Sequence, residues 1–422
     1  MKQNRIIWIL SGVIVALALA LAGVFVFLSN QPPVKRGPQL ITPITPLEPD
    51  PAKWAINFPR QYDTWLKTKE QSPTTWGGSQ PYSKLERDPR LKTLFAGYSF
   101  AKEYNEDRGH YWAVEDVSKT ARAPTAGTCW TCKSAVVPGL MKEMGPENFY
   151  ATPFKELAPR MTHPIACADC HKAETMELTI TRPALQEALK AQGKDWTTAT
   201  RQEMRTLVCS QCHVEYYFKG TGNYLTFPWE KGIRIEQIET YYDSYGFKDW
   251  AHAQSGAPML KMQHPETEFY TAGSTHYAAG VACADCHMPY IRDGATKYTS
   301  HWLASPLKYP DQACGACHRD VEYVKKRVTD IQLQTMTTMT RTEESLVAAI
   351  SAIQTLSNTV GADSQALEQA RLLHRRAQMR WDFIAAENSA GFHNPEEALR
   401  ILAEAIDYAR QAELIARQAI KP

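Results

Sequence analysis

The chain has 422 residues and carries 47 Lys and Arg against 45 Asp and Glu, a net charge of +2. That balance gives no bulk electrostatic attraction to nucleic acid. The length fits roughly two or three ordinary domains, or one large unit built around cofactors. With 26 prolines, 19 tyrosines and 11 tryptophans, the composition suits a loop-rich chain folded around flat apolar groups.

Residues Ile6 to Leu28 run without a charge. They are long enough to span a bilayer, and Lys2 and Arg5 before them predict a cytoplasmic N-terminus. The alternative is a cleaved signal peptide with its site around Ala18 to Ala22, although such apolar cores are usually shorter. Either way the remainder lies outside the cytoplasm. Residues 1–30 therefore read as a membrane anchor or uncleaved signal. Residues 31–52, with Pro32, Pro33, Pro38, Pro43, Pro46, Pro49 and Pro51, read as an extended spacer. Residues 53–320 hold all the cysteines, with Gly-, Pro- and Tyr-rich loops between them and no convincing strand ladder. Residues 321–422 are helical.

In that last region Val321 to Val360 contains neither proline nor glycine. Apolar residues recur at Val321, Val324, Val328, Ile331, Leu346, Ile350 and Ile353, steps that predict an amphipathic helix about 60 Å long. Gly361 ends it. A second helix fits Ser364 to about Glu387. The third begins at Asn394-Pro395-Glu396-Glu397, with a cap residue, proline in the first turn and acids at the positive helix end; its apolar stripe includes Leu399, Leu402 and Ile406. These helices suit a hairpin within the chain, and the length of the first also predicts a homodimer. The fold class expected is mainly α, with little β-sheet and long C-terminal helices.

The ten cysteines fall into five pairs of one spacing. Four read Cys-x-x-Cys-His: Cys167, Cys170, His171; Cys209, Cys212, His213; Cys283, Cys286, His287; and Cys314, Cys317, His318. The fifth, Cys129-Trp130-Thr131-Cys132-Lys133, has lysine in the histidine's place. Cys-x-x-Cys-His is the attachment signature of c-type haem, the histidine being the proximal iron ligand. Zinc ribbons and disulfide frameworks also use cysteine pairs, but neither requires histidine after every second cysteine. Five covalent haems are expected, with Lys133 marking one as chemically distinct.

Electron-transfer haems take two strong axial ligands, whereas a haem that does chemistry needs an open position. Beyond the four motif histidines the chain has His110, His163, His252, His264, His276, His301, His374 and His393, enough to close the four histidine haems. Residue types alone leave open which four serve. An electron-transfer cytochrome with every iron closed remains a competing reading at this point.

Cys-Trp-x-Cys-Lys followed by four Cys-x-x-Cys-His motifs resembles the pentahaem cytochrome c nitrite reductases that form ammonia, a multihaem cytochrome c fold. His213-Val-Glu215-Tyr216-Tyr-Phe and Lys261-Met-Gln263-His264-Pro-Glu resemble the two segments that build that family's active and calcium sites. The match runs from about residue 54 to the C-terminus in the same motif order. The resemblance implies six-electron reduction of nitrite to ammonium, with Lys133 as proximal ligand of the catalytic haem and Arg122, Tyr216 and His264 around its open face. It also implies one calcium ion, held by the Glu215 carboxylate, the Tyr216 and Lys261 carbonyls and the Gln263 side-chain oxygen. By the same resemblance His301 is the distal ligand for the haem at Cys167/Cys170 and His110 for that at Cys209/Cys212. His393 would serve Cys283/Cys286 and His276 would serve Cys314/Cys317. The implied setting is periplasmic, while the long apolar segment at residues 6–28 departs from the family and would anchor this chain in the inner membrane. Electrons would come from a quinol-oxidising membrane cytochrome or a soluble multihaem donor. Hydroxylamine and sulfite are further substrates that the architecture would accept. One departure is a short loop between Arg122 and Cys129.

Overall fold

The structure, a computed structural model, describes residues 2–29 and 38–420. They divide into two units, Met1–Gln39 and Leu40–Pro422. In the first, α1 (Lys2–Ser29) is a continuous helix with Trp8 and Phe25 among its exposed side chains. Among the described residues no helix is long and apolar enough to cross a membrane. The side chains of Ile6, Ile7, Ile9 and Leu28 lie outside the described residues, as do residues 30–37 of the expected spacer.

The rest of that spacer is not a free linker. The Asn57 side chain accepts hydrogen bonds from the Ile41 and Thr42 amides at 2.6 and 3.1 Å. Trp54, 1% exposed, donates from its indole to the Glu48 carbonyl at 2.9 Å, and Ile44 is buried with it. A buried indole needs an acceptor, and here the proline-rich strap supplies it. The folded body therefore begins near Leu40 rather than at residue 53.

Helix dominates, and strands occur as short two-stranded pairs. The pair that bears on the site is β1 (Tyr217–Lys219) with β2 (Tyr224–Thr226), antiparallel with Tyr217 opposite Thr226. A short helix, α2 (Glu266–Thr271), follows the Lys261–His264 segment. The C-terminal region is three long helices: α3 (Val321–Ser357), α4 (Ser364–Ala386) and α5 (Pro395–Ala419). Asp320 caps α3 by accepting from the Tyr323 amide, and Asp363 caps α4 through the Gln365 and Ala366 amides. Between them the chain turns at Gly361, whose φ of 70° is the left-handed conformation that favours glycine. With 37 residues α3 is about 55 Å long.

The three helices pack on one another. From α3, Leu346, Ile350, Ile353 and Leu356 are fully buried against Ala370, Ala377, Ile401 and Leu402. The seam of α5 differs from the expected stripe: Leu402 is buried, but Leu399 and Ile406 lie at its edge. Ala398, Ala405, Ala409, Ala412 and Ala416 are all 0% exposed. Small side chains let the helix backbones approach closely, so alanine rather than leucine marks the contact. Helix α4 also turns polar residues inward, His374, Arg375, Gln378, Arg380 and Asp382 among them. They reach across the helix surface into the haem-motif region, which is how the C-terminal bundle comes to support the site.

Candidate active site

Four motif histidines each face a second imidazole. Ring centroids are 6.2 Å apart for His171 and His301, His110 and His213, and His287 and His393, and 6.3 Å for His276 and His318. A metal about 2 Å from each ring nitrogen, with about 1.2 Å from nitrogen to centroid, requires about this spacing. Several rings are fixed by their other nitrogen, as metal-binding imidazoles usually are. His171 Nδ1 lies 2.9 Å from the Met176 carbonyl, His287 Nδ1 3.1 Å from that of Ala304, and His301 Nδ1 2.9 Å from that of Thr299. His393 Nδ1 sits 3.3 Å from the buried Glu387 carboxylate.

The histidines left without a role are occupied elsewhere. His252 donates to the Thr93 carbonyl and accepts from the Gln254 and Ser255 amides. His374 is bracketed by Ser255 Oγ and Gln378 Oε1, each at 3.0 Å. His163 sits beside Thr162 and Asp50.

The ten thiols are all free of disulfides, and they fall into spatial order. Cys132 lies within hydrogen-bonding reach of Cys212, and Cys209 of Cys283. The lysine motif is thus next to the motif at Cys209/Cys212, which is next to that at Cys283/Cys286.

Around the lysine motif the core is tightly built. Trp130 is fully buried, stacks on Phe154 at 4.2 Å and donates to its carbonyl at 3.0 Å. Gly127 lets this turn approach the later helix Pro146–Ala151: a Cβ there would sit 2.3 Å from the Phe149 carbonyl oxygen. Arg122 lies over the Phe100 ring at 4.5 Å and donates from Nε to Thr120 Oγ1 at 3.1 Å, a hydrogen bond that does not use its terminal nitrogens. Tyr216, stacked on Phe218, has Cys129, Cys132 and Arg122 as electrostatic neighbours, and burial pushes its hydroxyl well above the ordinary tyrosine range.

His264 has Lys133, His213, Glu266 and Asp107 around it. Burial drives its imidazole down to about 4 and Lys133 and His213 add to this, while Glu266 and Asp107 pull the other way. An imidazole held that low is a neutral ring at pH 7. His264 also lies 6.3 Å from His213, yet the two do not form a fifth axial pair. Their Nδ1 atoms converge on the same Glu266 oxygen, at 3.9 and 3.6 Å, so a carboxylate occupies the space between them.

Asp107 was missed in the sequence, although it stands only three positions before His110. It is crowded by the surrounding protein. That crowding opposes ionisation, but Lys133, His264, Lys84 and Arg122 outweigh it and hold the carboxyl below the ordinary range.

The segment expected to bind calcium is held from several sides. Glu215, 0% exposed, accepts from Tyr242 Oη at 2.7 Å and from the Gln263 amide at 2.6 Å. Burial, with Glu268 and Asp249 adding their charge, pushes its acid well above the usual range. Glu268 beside it accepts from the Glu215 amide and the Trp229 indole through Oε1, while its buried Oε2 has no hydrogen-bond partner among the described residues. Two adjacent buried carboxyls, one with an oxygen that no hydrogen bond among the described residues uses, fit a cation site. Gln263 Nε2 donates to the Lys261 carbonyl at 3.3 Å, bringing two further expected oxygen donors together. Among the described residues no group of three or more His, Cys, Asp or Glu could hold a metal, so an ion here would rest mostly on carbonyl oxygens, the donors a hard cation takes.

Over residues 50–421 the chain matches the family model described as cytochrome c552. Cytochrome c-552 of Parabacteroides distasonis is 45% identical over 384 residues, covering 88% of this chain and 77% of that protein. Cytochrome c-552 of Maridesulfovibrio salexigens is 37% identical, covering 98% and 84%. Among solved structures, the catalytic subunit of cytochrome c nitrite reductase from Desulfovibrio desulfuricans, which has two calcium sites, superposes with a TM-score of 0.84. It is 36% identical, with 90% of this chain and 88% of that chain covered. The fold, the motif order and these relatives agree: the chain belongs to the cytochrome c552 family.

Proposed function

We propose that this protein reduces nitrite to ammonium at a lysine-ligated c-type haem fed by four bis-histidine haems. One observation carries the reading. Each motif histidine faces a second imidazole at 6.2–6.3 Å, whereas the lysine motif is surrounded by an arginine, a tyrosine and a neutral histidine. The proposed axial pairs are His171 with His301, His213 with His110, His287 with His393, and His318 with His276.

Cys129, Cys132 and Lys133 would hold the catalytic haem, which would supply the six electrons that, with eight protons, take nitrite to ammonium and two waters. Arg122, whose hydrogen bond to Thr120 uses Nε and not its terminal nitrogens, binds the anion and offsets charge on oxygen as an N–O bond breaks. His264, a neutral ring with Nδ1 turned to Glu266, takes up a proton on its other nitrogen as negative charge builds up beside it and passes that proton on. Tyr216, held protonated by burial, donates or relays through its hydroxyl. Calcium on Glu215, Gln263 and the Tyr216 and Lys261 carbonyls would fix the backbone that carries Tyr216 and His264. Steady-state nitrite consumption with a viologen donor and ammonium as the measured product tests the whole reading; a protein that takes no electrons to nitrite would end it.

Replacing Lys133 with histidine should keep all five haems but alter the high-spin optical signature and the rate. An unchanged spectrum and rate would remove Lys133 from the mechanism. Calcium affinity should rise with pH, because burial raises the Glu215 acid in the folded protein and its protonated form cannot bind the cation. The affinity present above that raised value is lost as pH falls through it, and binding should release protons. Titration of calcium affinity between acid and neutral pH checks this; a flat profile would exclude Glu215 as a ligand.

The setting proposed is the periplasm, with residues 6–28 as the attachment to the inner membrane and a membrane cytochrome or soluble multihaem protein as donor. Release of the protein from membranes by alkaline carbonate would refute the anchor. A homodimer through α3 is also proposed, since Tyr323 and Leu333 on it are exposed and its first half buries few residues. Sedimentation as a monomer at micromolar concentration would refute that.

A further inference from the structure

Glu266 has a position that none of the roles above uses. It opens α2, two residues after His264, and its Oε1 is the meeting point of three groups. His213 Nδ1 lies 3.6 Å away, His264 Nδ1 3.9 Å away, and Asn388 Nδ2 donates to it at 2.9 Å. Its other oxygen, Oε2, is buried and has no hydrogen-bond partner among the described residues. A buried carboxylate that leaves half its acceptor capacity unused calls for an explanation beyond packing. The ordinary one is an acid favouring the positive end of a helix. That accounts for a carboxylate at this point of the chain, but not for two imidazoles directed at one of its oxygens.

The two imidazoles belong to different parts of the proposed machinery. His264 is the proton donor over the lysine haem. His213 is the proximal ligand at Cys209/Cys212, the motif whose Cys212 lies against Cys132 of the lysine motif and which is therefore the immediate source of electrons. A carboxylate facing the Nδ1–H of a ligating imidazole makes the ring a stronger electron donor to iron and stabilises the oxidised metal. The same oxygen facing His264 Nδ1 fixes which edge of that ring is turned to the substrate.

We propose that Glu266 is a positioning residue shared by the electron-feeding haem and the proton donor, so that one carboxylate sets both the reduction potential at Cys209/Cys212 and the orientation of His264. This rests on the nitrite-reductase reading for the half that concerns His264, but not for the half that concerns His213. Asn388, from the turn after α4, holds the carboxylate in place.

The test is Glu266→Gln, with Glu266→Asp as the conservative variant, in the full haem-loaded protein. Spectroelectrochemical titration should show the haem at Cys209/Cys212 shifted to higher potential in Glu266→Gln, with the other haems unmoved. The aspartate variant should fall between native and glutamine. Nitrite turnover should drop about 10- to 100-fold in kcat, with KM within about twofold because Arg122 still binds the anion. Unchanged potentials accompanied by lost activity would reduce Glu266 to a structural acid and overturn the proposal, as would potentials of all the haems moving together. A potential shift in a protein that never reduces nitrite would instead sustain the His213 half and dispose of the catalytic reading.

Discussion

His264→Asn should lower kcat for nitrite by about two to four orders of magnitude, the range for losing a positioned proton donor, while all five haems stay attached. KM should change far less, because the anion is held by Arg122, whose contacts with Phe100 and Thr120 do not involve His264. The physical basis is a buried imidazole held down to about 4, neutral throughout the working range. Its charged form appears only as pH falls through about 4, so it is not what shapes a rate profile between pH 6 and 8. Such a ring takes up a proton only as negative charge builds beside it, and then passes that proton on. Asparagine keeps a polar group of similar reach but cannot take up a proton and pass it on, so binding should survive and turnover should not. Steady-state kinetics with haem content measured by pyridine haemochrome decides the matter; native turnover in this variant would remove His264 from the reaction.

The parts of this protein that were legible in advance are those dictated by covalent or periodic rules. Haem attachment needs cysteines at one spacing, so the motifs announced themselves. Helices α3, α4 and α5 were set by caps, by the run without Pro or Gly, and by Gly361, and their ends fall within a few residues of expectation. What stayed hidden depends on contacts across the chain. The proline-rich strap looked free because nothing local discloses that Asn57 and Trp54 would seize it. The α5 seam was misplaced because alanine carries little hydrophobic signal, yet it is the residue that lets helices close up. Asp107 and Glu266 were passed over for the same reason: each lies beside a residue with an obvious role and gains its own only when Lys133, His213 and His264 converge on it. The neutral state of His264 could not be read from its type either, since burial by residues far away in sequence decides it.

Asp382→Asn should destabilise the protein and weaken calcium binding together. Lys261 Nζ and the Asp382 carboxylate are 2.9 Å apart at 1% and 0% side-chain exposure, and the second carboxylate oxygen accepts from the Met262 amide at 2.8 Å. The Lys261 amide is tied in turn to Asp249 at 2.8 Å. Helix α4 therefore grips, from both side chain and backbone, the stretch whose Lys261 carbonyl and Gln263 side chain are the proposed calcium donors. Asparagine leaves a buried ammonium without its counter-charge, a loss of about 3–5 kcal/mol, measurable as a fall in Tm. Stability loss alone would not single out a positioning role. The paired variant Lys261→Met with Asp382→Leu removes both charges, and replacing a buried ion pair with apolar residues is often close to neutral. It should regain most of the lost stability while keeping the Lys261 carbonyl, yet calcium affinity should remain low because the Met262 amide no longer has its anchor. Chelator competition on the native and both variant proteins separates the effects: native calcium affinity in Asp382→Asn would mean that the helix supports the fold and not the ion.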